Sequence, residues 1–109
     1  MELGGSDAFI VLSDANIDEA VEAAVNGRMW NSGQVCTSPK RIIVEESIAD
    51  SFLEKVKTKF ATIKAGNPMD PATTLAPLSS DKAVEDDIKQ VQKAVAEGAT
   101  LVLGDKRID

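Results

Sequence analysis

Five consecutive apolar residues, Ala8-Phe9-Ile10-Val11-Leu12, closed by Ser13-Asp14, constrain this chain more than any other feature. A run without polar alternation suits a strand covered on both faces, as inside a parallel sheet, and parallel strands need a crossover rather than a hairpin. The next residues supply one. Asn16-Ile17-Asp18-Glu19 has the form of a capping box, and Ile17, Ala20, Val21, Ala24, Val25 and Met29 recur at helical spacing. That face is apolar and small, suited to lying close on a sheet. Asn26-Gly27 interrupts it; the glycine costs about 1 kcal/mol relative to alanine and marks either a loosened last turn or close helix packing.

The remaining elements follow by the same rules. Pro39 begins an extended segment because it lacks an amide hydrogen, and Arg41 to Glu45 is predicted as a second strand. Ser47 is predicted to cap a helix carrying Ile48, Phe52, Leu53, Val56, Phe60 and Ile63 on one side. Residues 65–71, Ala-Gly-Asn-Pro-Met-Asp-Pro, form a loop. A third helix is expected from Ser79 or Ser80, with Val84, Ile88, Val91 and Val95 as its apolar stripe and Gly98 ending it. Leu101-Val102-Leu103 reads as a third short strand. The fold class is α/β, with helices packed on a short, mostly parallel sheet.

A chain of 109 residues makes one domain, and 43% hydrophobic with 28% charged residues is ordinary for a soluble globular protein. The net charge of −6, with no clustering of Lys and Arg, argues against a nucleic-acid partner. No apolar run approaches the ~20 residues of a membrane span, so no membrane role is expected. A single cysteine permits no internal disulfide and suits a cytoplasmic setting. The absence of histidine excludes Ser-His-Asp and Cys-His catalysis within these residues and leaves no zinc cluster, so no metal is expected.

That cysteine, Cys36, stands in Trp30-Asn31-Ser32-Gly33-Gln34-Val35-Cys36-Thr37-Ser38-Pro39, a loop between the first helix and the second strand. Such a loop presents a sulfur at an element edge, although a lone cysteine is also a common small buried hydrophobe. A second block, Met1-Glu2-Leu3-Gly4-Gly5, sets an acid beside two glycines that permit a tight turn or a close approach of backbone to a ligand. Glu2 and Cys36 are 34 positions apart. The two blocks, in this order and at this spacing, resemble those of the NAD(P)-dependent aldehyde dehydrogenase superfamily, whose members carry a Glu-Leu-Gly-Gly block followed by a Gly-Gln-x-Cys block.

The resemblance implies that Cys36 attacks an aldehyde to form a thiohemiacetal and then an acyl thioester, with Glu2 as the general base that activates water. It implies the Cys36 amide as one oxyanion donor, the second being an asparagine upstream of the Glu2 block and outside these residues. NAD or NADP is the implied cofactor. No Gly-x-Gly-x-x-Gly is present, and the resemblance implies that only the backbone around Leu3 and Gly4 approaches the nicotinamide. Trp30, Val35 and Thr37 match positions lining the family's aldehyde channel, and Trp30 also reads as a core anchor. Residues 1–109 thus correspond to the first half of a thiol-bearing catalytic domain, with the dinucleotide-binding domain absent. Expected partners are a small aldehyde and the remainder of a parent chain that forms a homodimer or homotetramer. Ser6-Asp7, in place of the lysine that many members carry after the glycine pair, resembles the succinate-semialdehyde dehydrogenase branch. Two other readings remain open at this stage, a small acidic scaffold domain with a structural cysteine and a cofactor-free thiol esterase.

Overall fold

The computed structural model describes residues 3–108. Strand β1 (Ala8–Val11) pairs in parallel with β2 (Arg41–Val44), in the register Ala8 to Arg41, Phe9 to Ile42, Ile10 to Ile43 and Val11 to Val44. Helix α1 (Ile17–Met29) makes the crossover that a parallel pair requires. Its start is fixed as expected. Asn16 Oδ1 accepts from the amides of Asp18 and Glu19, and Asn16 Nδ2 donates to Glu19 Oε1 at 3.0 Å. Glu19 therefore closes the box through the side chain of the cap rather than through its backbone.

Register decides which side chains meet. Phe9, Val11, Ile42 and Val44 share one face of the sheet, and α1 with α2 (Glu46–Phe60) covers it. Val11, Val21, Ala24, Val25 and Phe52 form the buried core, and Ala24, fully buried, lets α1 lie close to the strands. Two ion pairs, Lys55 to Asp18 and Lys59 to Glu22, both at 2.5 Å, tie α2 to α1 at the surface. The helix predicted to be capped by Ser47 starts two residues earlier. Glu45 is its cap residue without a side-chain cap bond, and Ser47 Oγ instead donates to Glu45 Oε1. The other Glu45 oxygen accepts from the Ser13 amide at 2.7 Å, which joins the end of β1 to the start of α2.

Two expectations are corrected. The β1 run is not covered on both faces by these residues, since Ile10 is 65% and its cross-strand partner Ile43 is 49% exposed. Only one helical layer packs on the pair. Leu101 to Leu103 forms no strand; with Leu53, Phe60 and Val95 it lines an apolar groove of about 500 Å³ on α2 and α3 (Asp81–Ala96). A strand needs a neighbouring strand edge for its amides, and this segment lies against helices.

Helix α3 is capped by Ser80, whose Oγ accepts from the Ala83 amide, and ends before Gly98 at φ +104. None of its residues is buried. Among the described residues no helix is long and apolar enough to cross a membrane.

Candidate active site

The thiol loop grows from the end of α1. Arg28, in the last turn, is placed where cations suit the helix dipole, and its Nη1 donates to the Gly33 carbonyl at 3.3 Å. Beyond Trp30 the backbone turns left-handed for three residues: Asn31 at φ 50, Ser32 at φ 56 and Gly33 at φ 79. Such geometry costs roughly 1–2 kcal/mol at a residue with a Cβ, less for asparagine, so neighbours must hold it. At position 33 the left-handed backbone favours glycine, and a Cβ there would stand 3.2 Å from the Arg28 carbonyl oxygen and push the Arg28 guanidinium aside.

Hydrogen bonds fix this turn from both sides. The Asn31 carbonyl accepts from the Gln34 amide at 3.1 Å and from Gln34 Nε2 at 3.0 Å, and Asn31 Nδ2 donates to the Gln34 carbonyl. Ser32 Oγ donates to the Ala76 carbonyl at 2.6 Å, and the Ser79 amide donates to Gln34 Oε1 at 2.9 Å.

After the turn comes the thiol. Cys36 is exposed, not the buried side chain that a purely structural cysteine would be. Lys40 Nζ donates to the carbonyls of Val35 at 3.1 Å and Cys36 at 2.9 Å, closing the loop around a cation. Ser38 is buried, and its hydroxyl proton is shared between the carbonyls of Gly27 and Arg28 at 2.8 and 2.9 Å. These are last-turn carbonyls of α1, which lack helical partners. A Cβ at Gly27 would touch Pro39 at 3.6 Å, an ordinary contact with the thiol loop rather than with another helix.

The N-terminal block meets this loop. A Cβ at Gly5 would stand 3.2 Å from the Cys36 carbonyl oxygen, and Arg41 ties the same stretch to β2 through the Ser6 and Asp7 carbonyls. Gly4 has φ +80, with open space where a side chain would be, and Leu3 is 85% exposed. Glu2, the predicted base, lies outside the described residues.

Of the predicted site residues, Leu3, Gly4 and Cys36 thus belong to adjoining backbone segments, and Val35 and Thr37 flank the thiol, half-buried and exposed respectively. Trp30 is 75% exposed, so it anchors no core made by the described residues. It lines a cleft of about 520 Å³ with Met29, Lys59, Ile63 and Thr74, in which Cys36 takes no part. Arg28, Ser38, Lys40 and the Gln34 amide were missed by sequence reasoning. A basic residue in a last helical turn was a legible signal for Arg28; the long-range bonds of Gln34 and Ser32 had none.

The aldehyde dehydrogenase family model matches residues 1–109, the entire chain. A succinate-semialdehyde dehydrogenase [NADP(+)] of Mycobacterium avium is 47% identical over 109 residues, which are 100% of this chain and 23% of that protein. The solved structure of Gox0499 superposes with a TM-score of 0.96 at 55% identity, covering 100% of this chain and 24% of its own. Betaine aldehyde dehydrogenase of Staphylococcus aureus, in complex with NAD+, gives 0.94 at 38% identity over 99% of this chain and 22% of its own. The chain therefore spans about a quarter of the length of the relatives it matches. With a match along its full length and two motif blocks that meet in space, the chain belongs to the aldehyde dehydrogenase family.

Proposed function

We propose that the protein carrying this chain oxidises an aldehyde to a carboxylic acid, with Cys36 as nucleophile and Glu2 as general base. The contact of the Gly5 backbone with the Cys36 carbonyl carries this reading, because it joins the block that holds the acid to the loop that holds an exposed thiol. The Cys36 sulfur bonds to the aldehyde carbon, and the Cys36 backbone N–H donates to the oxygen that becomes negative. Among the described residues no acceptor engages that N–H, which supports the assignment.

When bound, a nicotinamide dinucleotide would supply the acceptor for the hydride that the Cys36 adduct loses on becoming a thioester. The residues present fit one side of that group only. The space where a side chain at position 4 would stand and the exposed Leu3 offer an approach for a flat ring, whereas the chain carries no Gly-x-Gly-x-x-Gly to cradle a phosphate. Glu2 then takes a proton from water as its oxygen attacks the thioester carbon, and the sulfur leaves. One aldehyde, one water and one oxidised nicotinamide give one carboxylic acid, one reduced nicotinamide and one proton.

Succinate semialdehyde is the proposed substrate and NADP or NAD the proposed cofactor, on the strength of the relatives named above. Trp30, Val35 and Thr37 are proposed to line the aldehyde's approach. These residues make up the first half of a catalytic domain, and the chain alone is expected to reduce no nicotinamide. The test is absorbance of reduced nicotinamide formed by the full-length protein from succinate semialdehyde. Cys36→Ala should abolish it, and Glu2→Gln should lower it by about 10² or more. Wild-type rates in both variants would refute the reading.

A further inference from the structure

We propose that Gln34 is a positioning residue for the Cys36 thiol, its amide latching the left-handed turn at 31–33 to the chain that leads into α3. The inference rests on the reading of Cys36 as the nucleophile. Two successive non-glycine residues, Asn31 and Ser32, are held at positive φ just ahead of the thiol, a conformation that relaxes unless its surroundings enforce it. Gln34 supplies that enforcement with both ends of one amide. Its Nε2 donates to the Asn31 carbonyl at 3.0 Å, and its Oε1 accepts from the Ser79 amide at 2.9 Å. Ser32 Oγ, bonded to the Ala76 carbonyl, is a parallel tie to the same stretch.

The stretch it latches to is itself anchored. Residues 64–75 close on themselves at the end of α2: the Thr74 and Leu75 amides donate to the Lys64 carbonyl, the Lys64 amide to Thr74 Oγ1, and the Gly66 amide to the Leu75 carbonyl. On its other side, Ser80 caps α3. Gln34 is exposed, so its conservation of loop geometry is a matter of hydrogen bonding rather than of core packing.

The experiment compares Gln34→Met, which keeps length and loses both bonds, with Gln34→Glu, which keeps the acceptor for the Ser79 amide, in the full-length protein. A displaced nucleophile loses rate more than binding. Gln34→Met should therefore lower kcat by about ten-fold or more with KM changed by less than about two-fold, and the thermal midpoint should not account for the loss. Amide exchange at residues 31–36 should quicken in the same variant, a readout that needs no cofactor, and Gln34→Glu should recover part of both effects. A kcat within two-fold of wild type in Gln34→Met, or a Gln34→Glu variant no better than it, overturns the proposal. Cys36→Ala, run alongside, separates the two failures: activity surviving in that variant removes the nucleophile reading, whereas an inactive Cys36→Ala beside an unaffected Gln34→Met removes only the role of Gln34.

Discussion

Gly5 lies against Cys36: a side-chain carbon built at position 5 would stand 3.2 Å from the cysteine's carbonyl oxygen. The gap is closer than an ordinary van der Waals contact, so the backbone of one block is part of the wall that shapes the other. Lys40 holds the same carbonyl from another direction at 2.9 Å, which limits how far it can yield.

Gly5→Ala should therefore disturb the thiol loop rather than unfold the protein. A cost of about 1 kcal/mol is expected from the forced shift, together with a changed rate of Cys36 alkylation by iodoacetamide. An alkylation rate and stability both equal to wild type would show that the contact does not constrain the loop.

Gly33→Ala should cost more than the same change at Gly98, although both glycines have positive φ. At Gly98 nothing lies within 4 Å of the added carbon, so about 1 kcal/mol of backbone strain is the whole effect. At Gly33 the carbon would also displace the Arg28 guanidinium from the Gly33 carbonyl, and about 2 kcal/mol or more is expected. Equal losses in denaturant unfolding would contradict the assigned contact.

Ser38→Ala removes a buried hydroxyl from two carbonyls at the end of α1. A loss of about 1–2 kcal/mol is expected, since two half-buried carbonyls lose their donor. Unchanged unfolding would mean that water or a rearranged loop satisfies them.

These loop contacts mark where the sequence stopped being readable. The strand at Ala8–Val11 and the Asn16 cap were legible because each rests on neighbours in sequence, an apolar run and a residue three positions on. Leu101-Val102-Leu103 had the composition of a strand, yet pairing depends on an edge that the residues themselves do not encode. The exposed face at Ile10 and Ile43 has the same origin, for an apolar run states that both faces prefer cover but not which segment supplies it. In the candidate site, the motif singled out Cys36 and contained Gln34. The hydrogen bonds of Ser38 and Gln34 were not legible, because their partners are carbonyls and amides, which every residue carries.

Acid should weaken the join between β1 and α2. The backbone amide of Ser13 holds the Glu45 carboxyl below its ordinary value, with a smaller contribution in the same sense from the Ser47 hydroxyl. A carboxyl depressed on folding contributes stability that is complete above its unfolded pKa, about 4.3, and is lost as pH falls from there through the lower folded value. The stability difference between wild type and Glu45→Gln should accordingly shrink across that acid window. A difference that stays constant with pH would show that the carboxylate form gains nothing from the Ser13 contact.

Cys36 is proposed to carry the substrate as a covalent acyl group, and rapid-quench peptide mass spectrometry of the full-length protein incubated with succinate semialdehyde reads that group on its own peptide. An acyl adduct on the Cys36 peptide is expected, accumulating in Glu2→Gln, where water is not activated. Continued aldehyde oxidation with the Cys36 peptide unmodified throughout, and undiminished in Cys36→Ala, would contradict it.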